Sequence, residues 1–436
     1  MLLSRLQRSA HSARAFIYCM NYAPEIAGVG RYTGDLGDYL SQHHVDVEIV
    51  TAVPHYPGWA VPAGFQNRFS VESSKGTRVT RCPLFLHADM SGIWRLLAPL
   101  TFAVMSAPVA IWRILTTRPE VVLCVEPTLF AAPVALFAAK LVGARTVLHL
   151  QDLEIDAAFA VGHLTARPWL IWLAQCFERL CLKRFDRIVT ISHKMAERIK
   201  EKGVAQERLF VVRNWVDLER IKPAGISFAY RDELNLPRNA FVVLYSGNLG
   251  PKQGLMVVID AARRLQGIQN LLFVIAGDGP SKASLIAAAA GLNNVRFLPF
   301  QPPEKLGHFM SLCNLHVLPQ LATAGDLVLP SKLGAMLASG RPIVVTAEPN
   351  TEIAQFVGRT ATVVPPENAV ALADAICNYA FGDSQGSTEG RLSLAAQLSH
   401  HNAMSQLSDI VLSPQQSGIA AMSNRGVGTP PRASLS

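Results

Sequence analysis

The chain has 436 residues, half of them hydrophobic and 17% charged, with a formal net charge of +8. That length exceeds one compact α/β unit and suits two domains with sizeable cores. The basic balance fits a membrane surface or an anionic substrate, whereas the lack of zinc-finger spacings and of interleaved basic–aromatic repeats argues against nucleic acid.

Met1–Arg14 is basic but leads into no long apolar stretch, so it is expected to be a loose leader and not a signal peptide. The first half then alternates apolar strands with helical patterns. Strands are expected at Ala15–Cys19, Val45–Thr51, Val121–Val125, Thr146–Leu150 and Arg187–Ile191, and helices at Tyr32–Gln42, Ile93–Thr116, Pro133–Val142 and Pro168–Phe185. This alternation predicts a parallel sheet covered on both faces. Leu96–Trp112 is uncharged between Arg95 and Arg113. It is short of the roughly 20 residues of a spanning helix and carries two prolines, which leaves a buried core helix or an interfacial helix on anionic lipid. The aromatic and basic residues of Arg167–Arg184 leave the same choice.

Asn214–Asp217 leads into a polar, proline-bearing stretch, Leu218–Pro237, where the domain boundary is expected. The first domain is placed at 15–217 and the second at 238–381, with strands at 241–245, 271–276, 295–298, 315–318, 343–346 and 362–364. From Gly382 the composition turns to Ser, Gly and Gln. A helical pattern returns at Asn402–Leu412, and residues 413–436 read as disordered. The seven cysteines are scattered through mostly apolar runs and read as reduced, buried thiols of a cytoplasmic protein.

The chemistry concentrates at strand ends. Tyr245-Ser-Gly-Asn-Leu-Gly-Pro-Lys-Gln-Gly254 follows an apolar run and precedes a helix. Strand, glycine turn and helix present backbone N–H groups and a positive helix end to a phosphate, and Lys252 stands in the turn. The next strand ends in Gly277-Asp-Gly-Pro280, completing one nucleotide-binding half of a doubly wound sheet. In the first domain Gly28 and Gly30 precede a helix, in a spacing that departs from the dinucleotide fingerprint. They serve either close ligand approach or a packing turn. His149 and Asp152 lie at another strand end, in a run with Glu154 and Asp156. No partner cluster accompanies these acids, so no metal site is expected. Pro330–Pro342 opens a short helix with Ser331 as N-cap and Lys332 in its first turn. A cation there opposes the helix dipole, which a bound anion would offset; a surface lysine is the other reading.

Taken in order, Asn21–Gly34, His149–Asp156, Ser246–Gly254, Gly277–Pro280 and Pro330–Pro342 resemble the GT-B glycosyltransferases of family 4, and Asn21–Glu25, Pro54-His-Tyr-Pro-Gly-Trp59, Glu126–Phe130, Leu148–Asp152 and Leu329–Lys332 resemble one subgroup of them. Within them the set is most similar to colanic-acid-type exopolysaccharide fucosyltransferases. The resemblance runs from about Ala15 to Leu412. It implies two Rossmann-like domains facing a central cleft, with a C-terminal helix, here Asn402–Leu412, crossing back to the first domain. It also implies a nucleotide-sugar donor, GDP-fucose among the candidates, with retention of configuration and no metal or other cofactor. Lys252 would bind the diphosphate, Gly28 and Gly30 would line it, Ser246, Gly247 and Asn248 would belong to the donor site, and the helix starting near Ser331, with Lys332 in its first turn, would face the distal phosphate. Gly277, Asp278 and Phe300 would lie near the base, His149 and Asp152 beside the reacting sugar, and Tyr56 and Trp59 on the acceptor side. The implied acceptor is a lipid-linked saccharide at the cytoplasmic face of the inner membrane.

The sequence departs from the family at two places. Asn248 stands where many members carry an arginine for the diphosphate, and the family's glutamate pair falls at Leu327 and Ala335, with Asp326 a neighbouring stand-in for the first acid. Two alternatives therefore stay open: a non-catalytic sugar-nucleotide-binding partner, and a GT-B nucleotide-sugar epimerase.

Overall fold

The computed structural model describes residues 13–25, 28–56, 58–74, 76–87, 92–153, 168–219, 221–322, 329–382 and 386–413. Asp326, Glu154 and Asp156 lie outside the described residues, as do the leader before Ala13 and the tail beyond Ser413.

Eight strands form the first sheet: β1 (Arg14–Cys19), β2 (Asp46–Ala52), β3 (Ser70–Ser74), β4 (Thr77–Cys82), β5 (Val121–Glu126), β6 (Arg145–Leu150), β7 (Arg187–Thr190) and β8 (Leu209–Val211). Their spatial order is β3-β4-β2-β1-β5-β6-β7-β8, parallel throughout except for the antiparallel pair β3–β4. The crossovers are α1 (Val29–Gln42), α2 (Gly92–Thr117), α3 (Ala132–Val142), α4 (Pro168–Leu182) and α5 (His193–Glu201). Because the chain steps one way from β1 to β2 and the other way from β5 to β7, right-handed connections put α1 on one face and α2, α3 and α4 on the other. The two cores agree with this. Phe16 and Tyr18 pack with Phe102, Ala135 and Leu182, while Ile17 and Ile49 pack with Leu36 and Leu40. Strands buried on both faces are apolar at most positions, which is why they read as near-continuous runs.

The second sheet is wholly parallel: β9 (Phe241–Ser246), β10 (Leu271–Ala276), β11 (Val295–Leu298), β12 (Leu315–Leu318), β13 (Ile343–Thr346) and β14 (Thr362–Val364), in the order β11-β10-β9-β12-β13-β14. Its helices are α6 (Phe228–Glu233), α7 (Met256–Arg264), α8 (Lys282–Ala288), α9 (Leu306–Ser311), α10 (Lys332–Ala338), α11 (Glu352–Val357) and α12 (Ala369–Phe381). Helix α6 lies inside the stretch expected to be a polar connection, because Tyr230 packs into the second core and the Arg231 guanidinium donates to the carbonyls of Leu312 and Ala240.

Two further helices close the chain, α13 (Thr388–Gln397) and α14 (His400–Leu412). Helix α13 stays on the second domain, where Arg391 Nε donates to the Gly340 carbonyl at 3.0 Å. Helix α14 returns to the first, burying Met404 and Leu407 beside Ile17 and Leu36. Its final carbonyls are satisfied by the Arg145 and Arg187 guanidiniums, cations placed where a helix end favours them. The outward and return crossings lie side by side: Val216 N donates to Leu398 O at 2.8 Å and His400 N to Val216 O at 3.1 Å. A second inter-domain contact is made by the buried Glu352 carboxylate, which accepts from Lys194 N at 3.2 Å and Arg213 Nη2 at 2.8 Å.

Candidate active site

In an open α/β sheet, ligands bind where the strand order reverses, at the carboxyl ends of the strands. In the second sheet that point lies between β9 and β12, and the Ser246–Gly254 turn leaves β9 there. The glycine turn after β10 is zipped to it. Leu249 N donates to Asp278 O and Ser281 N to Leu249 O, both at 2.8 Å. Gly277 has φ +144, and a Cβ on it would sit 1.9 Å from the Gly247 carbonyl oxygen. The paired turns thus require a bare backbone at this contact. Gly277→Ala is expected to abolish nucleotide binding, whereas Gly267→Ala, with no atom within 4 Å of its added carbon, should leave it unchanged. Calorimetric titration of the two purified variants checks this.

Lys332 is not a surface lysine. Its ammonium lies largely buried, 4.2 Å from the centre of the Tyr245 ring, and donates to Tyr245 Oη at 2.7 Å. Tyr245 Oη in turn donates to Asn248 O at 2.6 Å. Burial raises the Tyr245 pKa, so the phenol keeps its proton and remains a donor. A Cβ on Gly247 would stand 2.7 Å from Lys332 Nζ, so this glycine makes room for the cation. Desolvation lowers the Lys332 pKa to about 8. Ser331 precedes α10 but makes no capping side-chain hydrogen bond, contrary to the N-cap expectation; its φ of −57 is already helical. Lys252 is exposed on the short turn Pro251–Gln253, beside the same loop.

The first domain contributes a carboxylate to which sequence reading gave no role. Glu25 is buried, and its Oε1 accepts from His55 N and Tyr56 N, both at 3.0 Å, while Oε2 accepts from Asn21 Nδ2 at 2.9 Å. It ties the loop after β1 to the loop after β2. Gly30 belongs to this device. It lies in the first turn of α1, where a Cβ would meet Glu25 Oε2 at 2.4 Å, so its absent side chain serves packing within the chain. Gly28, with φ +64, lies against Tyr56; its added carbon would be 2.8 Å from the ring. Trp59 packs edge-on to Tyr56 with centroids 6.3 Å apart. The structure therefore brings Gly28, Tyr56 and Trp59 together. An acid amid glycine and apolar residues was the available signal for Glu25.

His149 is buried at the end of β6, and desolvation lowers its pKa to about 4. Gln151 Nε2 donates to its Nε2 at 3.0 Å, which fixes a neutral ring with the proton on Nδ1. It can act as a hydrogen-bonding group there, and not as a cation. Asp152 is exposed and accepts from Leu153 N at 2.8 Å. Asp278 is exposed beside Lys282 at 3.6 Å, and Phe300 is exposed at 61%. Among the described residues, no group of three or more His, Cys, Asp and Glu could hold a metal ion.

Two parallel-sheet domains, with the glycine turns and a lysine at a switch point, constitute the GT-B architecture of glycosyltransferases. Residues 27–215 match the glycosyl transferase 4-like domain and residues 240–380 the glycosyl transferases group 1 domain. Over 372 residues the sequence is 40% identical to WcaI of Escherichia coli (strain K12), a glycosyl transferase assigned to colanic acid biosynthesis, covering 82% of this chain and 90% of that one. The chain belongs to this family of glycosyltransferases. Among solved structures, sucrose-phosphate synthase from Thermosynechococcus elongatus shares the fold with TM-score 0.67 at 15% identity, over 91% of this chain and 98% of that one. Anabaena HepE in complex with UDP-glucose does so with TM-score 0.62 at 15% identity, over the same shares.

Proposed function

We propose that this glycosyltransferase moves a sugar from a nucleotide-sugar to a lipid-linked oligosaccharide in exopolysaccharide biosynthesis, with retention of configuration and without a metal, and that GDP-fucose is the first donor to test. The observation that carries the reading is the Lys332 ammonium seated over Gly247 at the switch point, with Lys252 on the adjoining turn. Together they offer positive charge to the negative charge that a departing nucleoside diphosphate develops, with Lys332 already fixed in place as electrostatic catalysis requires. Lys332 would supply the cation missing at Asn248. Retention follows if the leaving phosphate takes the proton of the acceptor hydroxyl on the same face of the sugar. Tyr56 and Trp59 would offer aromatic surface to the acceptor.

The test is calorimetric titration with GDP, UDP and ADP, with and without EDTA, followed by turnover of the matching nucleotide-sugar. Metal-independent binding of GDP with transfer supports the full reading. Preference for UDP keeps the mechanism and discards fucose, while binding without turnover favours the non-catalytic alternative.

The lysine also sets a pH dependence. Its pKa is about 8 in the fold against an ordinary 10.5, so between these values the unfolded chain holds more protons. Stability therefore gains from Lys332 as pH rises through that window, and burial of the ammonium is a full cost below it. A bound diphosphate favours the ammonium, so diphosphate affinity should fall above pH 8, with proton uptake on binding. Titrations in buffers of different ionisation enthalpy check the proton count.

A further inference from the structure

More than half of the exposed large apolar side chains among the described residues lie on one layer, formed by α2, α3 and α4 with the short turn that leads into α3. Trp94, Val104, Trp112, Phe137, Trp169 and Trp172 are among them, exposed between 37% and 64%. The three helices share one core, and Phe130 stacks on Phe177 at 5.9 Å, joining the α3 side to α4. So large an uncovered apolar area marks a docking site.

Helix α2 is long and apolar enough to cross a membrane, yet its packing shows a different role. Ala98, Phe102, Ala110 and Ile114 form a buried stripe against the sheet. Ser106 Oγ meets Tyr18 Oη at 2.5 Å in the core, and Arg113 pairs with Glu48 of β2. The helix is a crossover of the first domain, with only its outer face free for lipid.

We propose that this three-helix face seats the protein on an anionic bilayer, lying in the interfacial plane; the idea rests on the lipid-linked acceptor of the preceding reading. Charge selects this occupant. The acid in these helices, Glu178, is buried and paired with Lys202 at 2.6 Å, whereas Lys140 and Arg179 are exposed on them; just beyond their ends the exposed Arg118, Lys183 and Arg184 stand against the exposed acid Glu120, which leaves the face basic. Anionic headgroups complement such a face. A second copy would bring like charges together. Four of the six tryptophans lie here, the side chain that prefers the boundary between headgroups and hydrocarbon.

The experiment is flotation of the full chain with phosphatidylcholine vesicles, with and without phosphatidylglycerol, at low and high salt. A Trp112→Glu/Trp172→Glu variant and a GDP and UDP titration are run alongside. The expected result is binding to the anionic vesicles that weakens with salt, falls by about ten-fold or more in the variant, and is accompanied by quenching of tryptophan emission by brominated lipid. Nucleotide binding should be equal in both proteins. No flotation at low salt, flotation untouched by the variant, or self-association that the variant abolishes would each overturn the proposal. Failure of the parent protein to float while it still binds nucleotide removes only the docking face. Flotation without nucleotide binding removes the transferase reading instead.

Discussion

Lys332→Met is expected to lower turnover by about 10²–10³-fold, the loss seen when one preorganised donor to developing charge is removed. The variant should fold at least as well as the parent at neutral pH. The lysine is held by Tyr245 and pressed toward Gly247, and it is protonated there at a cost that burial imposes. Methionine keeps the stem's volume and removes that cost. Steady-state kinetics together with thermal unfolding separate the two effects: low turnover at an unchanged or raised midpoint assigns the loss to chemistry. Lys252→Ala should also lose most turnover, and wild-type rates in that variant would remove its diphosphate role. The exposed lysine must be ordered by the ligand, whereas Lys332 is already in place.

Glu25→Ala should be the most destabilising single change in the first domain's site. It leaves the N–H groups of His55 and Tyr56 and the Asn21 amide without their acceptor. Each buried unsatisfied donor costs about 1–3 kcal/mol, so a loss of roughly 3 kcal/mol or more is expected. Glu25→Gln keeps one carbonyl oxygen for the two backbone donors and should lose about 1 kcal/mol. Denaturant unfolding of the two variants checks the ranking; equal stability of alanine and glutamine would show that the carboxylate does not hold the loops. Because Tyr56 lies against Gly28, the alanine variant should also disturb the aromatic surface formed by Tyr56 and Trp59.

The second sheet was legible nearly strand for strand because its four central strands are buried almost throughout and two of them, β9 and β10, stop at glycine. β10, for example, is Leu271–Ala276 and stops at Gly277. Strands β3 and β4 were not legible. Ser70–Ser74 is a short, exposed edge strand, and Thr77–Cys82, although almost wholly buried between its neighbours, carries threonine and arginine where an apolar run would announce a strand. Helix α13 was hidden by its own composition, since Thr388–Gln397 carries serine, threonine and glycine and shows little amphipathic contrast. The site was legible at its backbone and illegible at its pairings. The glycine turns follow from local pattern, but Lys332 meets Tyr245 across a separation of 87 residues, and Glu25 meets His55 and Tyr56 across two different strand ends. Glu25 sat in the motif without an assigned partner because no periodicity connects these loops.

The paired crossings at Val216 and Ser399 limit how the two domains can move. A body fastened at one point keeps every rotation; fastened at two, it keeps only the rotation about the line joining them. The hydrogen-bonded crossings act together as one fastening, and Glu352, with Lys194 and Arg213, is the second. While both hold, the one rotation left to the domains is that of a door about its hinge line. Once Glu352 lets go, the same enzyme gains a universal joint.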